Sequence, residues 1–252
     1  MPNDFASLLQ PLCELVFQAS EIALDERPKM KRALKPDGSV VTSADVAIEE
    51  FLRPKLAELK PGSTIWGEEL GHAFDEGNGV WLIDPIDGTT NYSFGSPLWG
   101  ISVAFAHSGE LELGAVMLPD LNEIYLVARG MGATVNGEPL PSIPEGEIRQ
   151  EELVGACDHV TAIIRRDLIP GKLRCSGAFV VEGAFVACQR MRGLIGIREK
   201  LYDVAPCILM ANELGAEVRY ADGSPLIVAD HFDDQKFGKP WIIFPRNSGF
   251  VA

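Results

Sequence analysis

Residues Trp81-Leu82-Ile83-Asp84-Pro85-Ile86-Asp87-Gly88-Thr89-Thr90-Asn91-Tyr92 join an apolar run to two carboxylates, a glycine and two hydroxyls. A strand over Val80 to Ile83 would end at the edge of a sheet, with Asp84 and Asp87 on the turn that leaves it. Pro85 stiffens that turn. Two acids this close repel and shift each other's titration unless a cation joins them. Hard divalent cations take oxygen ligands of this kind. Gly88, Thr89 and Thr90 add unhindered backbone N–H groups and hydroxyls, which suit a phosphate. Metal-binding oxygens beside phosphate-binding amides point to phosphate-ester chemistry.

Other segments could join this one. Gly67-Glu68-Glu69 follows the apolar run that ends at Trp66. Alone it reads as a solvated turn, but the Asp84/Asp87 turn closes the next strand, and neighbouring strand ends can share one sheet edge. Asp45 follows Thr42 as the acid of a capping box, so it caps a helix and offsets its dipole. From there it could also orient or activate a water. Tyr202-Asp203-Val204-Ala205 opens a helix, where Asp203 is a cap or, if that end faces the site, a metal ligand. Arg174-Cys175-Ser176-Gly177-Ala178 is a strand-to-helix turn whose small residues admit a ligand or allow close packing.

These residues must be positioned by regular elements. Leu8, Leu9, Leu12, Leu15, Val16, Ala19 and Ala23 have helical spacing over about Asp4 to Leu24. After a turn at Pro36-Asp37-Gly38, a second helix runs from Thr42 to about Leu59 and is broken by Pro61-Gly62. Strand-like runs follow at Ser63 to Trp66, Val80 to Ile83, Ile101 to His107, Leu111 to Leu118 and Ile124 to Ala128. Turns fall at Ser108-Gly109 and Asn136-Gly137. The polar, proline-bearing stretch Pro141 to Glu152 marks a seam between halves 1–145 and 146–252, which act as one compact catalytic unit. Beyond it, strands are expected at Leu153 to Ala156, Leu173-Arg174, Leu194 to Ile197, Val218 to Tyr220 and Trp241 to Phe244. Helices are expected at Gly177 to Arg190 and Asp203 to Leu214, with Pro206 in the first turn of the latter. Helices alternating with mixed strands imply a layered α/β or α+β protein. The loop from Leu34 to Thr42 and the segment Gly71 to Gly79 are candidates to cover the site, with Asp75 and Glu76 read as solvated and not as ligands.

Composition narrows the function classes. The 252 residues are 46% hydrophobic, enough for a sizeable core. A net charge of −14, from 22 basic and 36 acidic residues, argues against nucleic acid and anionic membrane as partners. Five scattered cysteines without CxxC fit a reducing compartment. Four histidines without HExxH speak against a zinc hydrolase. With no apolar run of about 20 residues and no basic n-region, a cytoplasmic protein is expected.

Taken together, Val41-Thr42-Ser43-Ala44-Asp45, Gly67-Glu68-Glu69, Trp81 to Tyr92 and Tyr202-Asp203-Val204-Ala205 resemble the inositol monophosphatase family of metal-dependent, lithium-sensitive phosphomonoesterases. Relatives include fructose-1,6-bisphosphatases, histidinol-phosphate phosphatases and phosphoadenosine-phosphate phosphatases. The resemblance implies an αβαβα sandwich of the sugar-phosphatase type with mixed sheets, often a homodimer. It implies Mg²⁺, two or three ions, with Mn²⁺ as a substitute and Li⁺ and Ca²⁺ as inhibitors. Glu68, Asp84 and the Ile86 carbonyl would hold one ion, and Asp84, Asp87 and Asp203 a second. Asp45 would support a weaker third through water.

The same resemblance makes Glu68, Thr89 and Asp45 the catalytic set, with Thr89 and Asp45 taking the proton of the attacking water. The amides of Gly88 and Thr89 would hold the phosphate of a small metabolite, with Asp87, Gly177 and Ala178 beside it. A non-catalytic metal- or phosphate-binding member is the competing reading, and the intact acids speak against it. One departure concerns specificity. The family's inositol-reading acid would fall at Gly196, which has no side chain, and Glu199 lies nearer the helix. Arg174 or Arg198 would then read a second anionic group on the substrate, unless both are solvated surface residues.

Overall fold

The computed structural model describes residues 5–72, 78–157, 159–233 and 235–251. Asp75 and Glu76 lie outside them. Helix α1 (Leu9–Glu26) buries Leu12, Val16, Ala19 and Ala23. It starts later than the periodicity suggests, because Phe5–Leu8 wind as a tighter 3-10 turn with no side-chain cap. Strands β1 (Arg32–Leu34) and β2 (Val40–Thr42) form a hairpin around the Pro36-Asp37-Gly38 turn. That hairpin leaves no apolar alternation in the sequence, since β1 is wholly exposed.

Helix α2 (Ser43–Leu59) opens on the expected capping box. The Ala44 N–H donates to Thr42 Oγ1 at 3.2 Å, and the Thr42 N–H donates to Asp45 Oδ2 at 2.8 Å. Next come β3 (Thr64–Gly67), β4 (Gly71–His72), β5 (Val80–Asp87), the single-turn helix α3 (Thr89–Ser93), β6 (Gly100–His107), β7 (Glu110–Leu118), β8 (Glu123–Ala128), β9 (Gly132–Val135) and β10 (Glu138–Pro139). The strands make one eight-stranded sheet in the order β10-β9-β8-β7-β6-β5-β3-β4. Ser108-Gly109 (φ 52° and 78°) and Asn136-Gly137 (φ 50° and 84°) turn two of its hairpins, both residues of each pair being left-handed.

After the seam follow β11 (Leu153–Ala156), α4 (Val160–Ile163), β12 (Lys172–Arg174), α5 (Phe179–Ala187), β13 (Gly193–Gly196), α6 (Leu201–Glu213), β14 (Ala216–Tyr220) and β15 (Trp241–Pro245). Their strands form a five-stranded mixed sheet, β12-β11-β13-β15-β14. Helices α1 and α2 cover one face of the large sheet, and α5 and α6 lie between the two sheets. Val160 and Ile164 pack with Ile195 and Phe244 on the outer face of the small sheet. The expected αβαβα layering is therefore present.

Strand β5 shows how burial positions the site. Trp81 and Ile83 point to the core beneath α1 and α2, while Val80 and Leu82 point to the core holding α5 and α6. Trp81, Leu82 and Ile83 are fully buried, each aliphatic side chain worth about 1.5–3 kcal/mol. Strand β5 runs past Ile83 to Asp87, with a register shift between Asp84 and Asp87 where it pairs with β6.

Helix α6 starts at Leu201, ahead of Asp203, so Pro206 falls in the second turn and not the first. A proline there leaves the carbonyl four residues earlier without its helical donor. That carbonyl, Tyr202 O, accepts the buried Ser102 hydroxyl of β6 at 2.9 Å.

Candidate active site

Strands β3 and β5 are parallel neighbours, so their C-terminal ends emerge side by side, with Gly67 opposite Ile83. The Glu68 N–H donates to Ile83 O at 3.1 Å, which sets Glu68 next to Asp84. A buried glutamate of α2 anchors this turn. Glu49 accepts the N–H of Glu69 at 2.8 Å and of Leu70 at 3.1 Å, and pairs with Arg53 Nε at 2.8 Å. A Cβ on Gly67 would come within 2.0 Å of Glu49 Oε1. This explains the glycine before the acids. Gly67→Ala is expected to destabilise by about 1–3 kcal/mol, lowering Tm by roughly 2–4 °C per kcal/mol. Thermal denaturation checks it, and an unchanged Tm would refute the packing account.

Asp203 arrives from the first turn of α6, where its Oδ2 accepts the Lys200 N–H at 2.7 Å. Glu68, Asp84 and Asp203 thus each present an oxygen within 4.8 Å of the others. Oxygens around a Mg²⁺ at about 2.1 Å stand roughly 3–4 Å apart, so this all-oxygen trio fits a hard divalent cation. Burial raises the Asp84 carboxyl well above the usual range, and the charges of Glu68, Asp87 and Asp203 raise it further. Burial and then Glu68 do the same to Asp203. Such a cluster calls for positive charge.

Part of that charge comes from Lys35, in the connection between β1 and β2, whose Nζ lies 2.7 Å from Glu68 and 2.6 Å from Glu69. Burial works against its ammonium, but the two glutamates hold its pKa above the ordinary lysine value. Sequence reasoning placed this loop over the site without singling out Lys35, for which a basic residue beside a Pro-Asp-Gly turn was the available signal.

The Asp87 carboxyl lies beside the trio and is held at its other end, Oδ2 accepting the Val180 N–H of α5 at 2.6 Å. Burial pushes it up to about 7, against that hydrogen bond. Gly88 follows with φ 84°, a left-handed conformation natural to glycine. A Cβ there would meet the Ala178 Cβ at 2.8 Å and Leu98 O at 3.2 Å. Asn91 fastens this turn to the one before α5, donating to Leu98 O at 2.6 Å and Ser176 O at 2.7 Å. Gly177 and Ala178 therefore abut the Gly88 turn. The Thr89 hydroxyl lies 2.9 Å from the Ile86 carbonyl and 3.1 Å from Asp45 Oδ1. Asp45 is fully buried, which pushes its carboxyl up to about 6.

A cavity of about 310 Å³ opens from Asp87, Gly177 and Ala178 towards Glu182 and Glu199. Sequence reasoning missed Glu182, a lone acid in the otherwise apolar helix α5, and that contrast was the signal. Glu199 turns back into the cavity wall. A Cβ on Gly196 would lie 2.8 Å from its Oε2, so the Glu199 carboxylate fills the room that Gly196 leaves. Arg174 and Arg198 are exposed and do not line this cavity. The Arg174 guanidinium donates to Leu173 O at 2.8 Å, and Arg198 has φ 72°.

The raised carboxyls give a pH dependence. A carboxyl with its folded pKa raised favours the fold below its ordinary pKa near 4. That contribution is lost as pH climbs through about 6 for Asp45 and about 7 for Asp87. An ion needs deprotonated ligands, so Mg²⁺ or Mn²⁺ binding near pH 6.5 is expected to release about one proton and to tighten as pH rises. Calorimetric titration in two buffers of different ionisation heat measures the release. Its absence would refute the assignment.

Comparison with known proteins agrees with this geometry. The model of the inositol monophosphatase family matches residues 4–233. The chain belongs to the inositol monophosphatase family. It is 39% identical over 138 residues to a histidinol-phosphatase of Chlorobaculum parvum, covering 52% of each chain, so it spans about half the length of that relative. It is 30% identical over 184 residues to a fructose-1,6-bisphosphatase/inositol-1-monophosphatase of Thermotoga maritima, covering 71% of this chain and 70% of that one. Among solved structures, an IMPase/NADP phosphatase complexed with Mg²⁺ and phosphate superposes with a TM-score of 0.83 at 22% identity, over 96% of this chain and 92% of that one. That likeness speaks for the fold.

Proposed function

We propose that this chain is a Mg²⁺-dependent phosphomonoesterase that transfers the phosphoryl group of a small phosphorylated metabolite directly to water. The convergence of Glu68, Asp84 and Asp203 beside the Gly88 turn carries the reading. Glu68, Asp84, the Ile86 carbonyl, Asp87 and Asp203 would hold the ions. When bound, Mg²⁺ supplies Lewis acidity, which makes water more acidic and offsets negative charge on a leaving oxygen.

The protein's own groups do the rest. The amides of Gly88 and Thr89, at the bend after β5, would hold phosphate oxygens. The Thr89 hydroxyl takes the water's proton and relays its own to Asp45, whose carboxyl at about 6 accepts it at neutral pH. The water oxygen bonds to phosphorus, the P–O ester bond breaks, the departing alkoxide takes a proton from solvent while Asp45 returns its own to solvent, and an alcohol and inorganic phosphate leave. Halves 1–145 and 146–252 act as one unit in this reading, since Asp203 comes from the second and the other acids from the first.

The reading extends to Mn²⁺ as a substitute ion, to Li⁺ and Ca²⁺ as inhibitors, and to a cytoplasmic homodimer. No helix among the described residues is long and apolar enough to cross a membrane. Purified protein should release phosphate from p-nitrophenyl phosphate and from a panel of sugar, inositol, amino-alcohol and nucleotide phosphates only with Mg²⁺ or Mn²⁺. Release that chelation leaves untouched, or none on any ester, would overturn the proposal.

A further inference from the structure

We propose that Glu49 and Arg53, neither of them a member of the acid trio, set the affinity of that trio for its ion by holding the turn that carries Glu68 in place before the ion arrives. The inference rests on the reading of Glu68, Asp84 and Asp203 as ion ligands and adds two positioning residues behind them.

Glu49 lies in the middle of α2 and is 0% exposed. A carboxylate so deeply placed is costly unless it is paired and hydrogen-bonded. All its partners belong to one clamp. Its Oε2 accepts the Glu69 N–H at 2.8 Å, and its Oε1 accepts the Leu70 N–H at 3.1 Å and the Arg53 Nε–H at 2.8 Å. Two successive backbone N–H groups form an anion-binding concavity. Here a side chain from another element fills it. Arg53, one helical turn further along α2, also donates from its guanidinium to Gly71 O. The pair therefore grips the backbone at three consecutive residues after Glu68. On its other side, the Glu68 N–H is held by Ile83 O at 3.1 Å. With the backbone fixed on both flanks, only side-chain torsions remain to aim the Glu68 carboxylate. Lys35 steadies that carboxylate, and α2 steadies the chain beneath it.

The grip works against electrostatic repulsion. Without an ion, the charges of Glu68, Asp87 and Asp203 all bear on Asp84. An unrestrained turn would carry Glu68 away from Asp84, and part of the ion's binding energy would go into bringing it back. Helix α2 supplies a rigid base, since Ile48, Leu52 and Leu56 are buried in the core beneath it. Asp45, Glu49 and Arg53 follow at intervals of four residues, so they share one face of α2 at steps of about 6 Å along its axis. That face meets Thr89 at Asp45 and the Glu68 turn at Glu49 and Arg53.

The test is calorimetric titration of the metal-free protein with Mg²⁺ and with Mn²⁺, for the wild type, Glu49→Gln and Arg53→Lys. The Tm of each metal-free protein and kcat on p-nitrophenyl phosphate at saturating metal are measured beside it. Glu49→Gln sets an amide N–H against a donor and is expected to raise Kd by about 10–100-fold, the usual cost of losing a group that orients a metal ligand. At saturating Mg²⁺ its kcat should stay within about threefold of wild type, because the bound ion restores the geometry. Arg53→Lys keeps the charge but loses the fork that joins Glu49 to Gly71, and should raise Kd in the same direction by a smaller factor. A merely structural pair would lower the Tm of the metal-free protein and leave the Kd of the folded protein unchanged. An unchanged Kd in either folded variant overturns the inference, and if Glu49→Gln does not fold, Arg53→Lys decides. If wild-type protein binds the ions and releases phosphate while the variants keep its Kd, the inference alone falls. If wild-type protein binds neither ion, the ion reading falls and the inference with it.

Discussion

Asp84→Asn is expected to cut turnover at least ~10³-fold and to abolish stabilisation by Mg²⁺ or Mn²⁺, while leaving the metal-free protein as stable as before or more so. Asp84 is the buried centre of the acid trio, and its charge is opposed by burial and by Glu68, Asp87 and Asp203. The amide keeps the acceptor for the Ile86 N–H, now at 3.0 Å, and gains donors towards Glu68. It removes one negative charge from a place that disfavours it, so the metal-free fold loses nothing. The ion loses an anionic ligand and its affinity. In the wild type, an ion at about 100 times its Kd adds about 2.7 kcal/mol, a Tm rise of roughly 5–10 °C for a chain of this length. Thermal shift with and without metal, run beside a phosphate-release assay, reads both effects. A variant that keeps either its turnover or its metal-dependent shift would show that the trio is not the ion site.

Thr89→Ala is expected to lower kcat by about 10²–10⁴-fold while preserving the metal-dependent Tm shift. The Thr89 hydroxyl lies between the Ile86 carbonyl and Asp45, and it is the one described hydroxyl hydrogen-bonded to both. Removing it leaves the carboxylate trio untouched and breaks the route for the proton. Thr89→Ser should restore most of the rate, since the hydroxyl alone is needed. Asp45→Asn should cost a similar factor and remove the acid limb of the rate profile that the carboxyl near 6 produces. If Thr89→Ala changes kcat less than about threefold, proton transfer runs elsewhere.

These two variants separate ion binding from proton handling, and the sequence already held the residues of both. The carboxylates of Glu68, Asp84, Asp87 and Asp203 stand next to punctuation that local chemistry explains: a glycine, a proline, a helix start. The capping box at Thr42 and Asp45 was legible because it needs only residues within one turn. The hairpin turns at Ser108-Gly109 and Asn136-Gly137 were legible for the same reason, since left-handed backbone favours those residues. Strand β5 announced itself by a run of apolar side chains buried on both faces.

Where local signals were weak, the structure departs from the expectation. Strand β1 of the β1–β2 hairpin is exposed and therefore has no apolar pattern. Pro206 sits a turn deeper in its helix than expected, because Ser102, far away in the chain, supplies the hydrogen bond that the proline cannot.

The sequence by itself determined which groups could do chemistry: acids for a hard cation, amides and hydroxyls for a phosphate, and helix starts and strand ends to carry them. Tertiary structure alone decided which of them meet. Strand pairing put Glu68 beside Asp84, and the packing of α6 between the sheets brought Asp203 to them. It also turned Glu182 and Glu199 into one cavity and left Arg174 and Arg198 outside it. Spacing along a chain fixes contacts only within a turn or a hairpin. Contacts between distant segments follow from how the apolar faces of whole layers are buried.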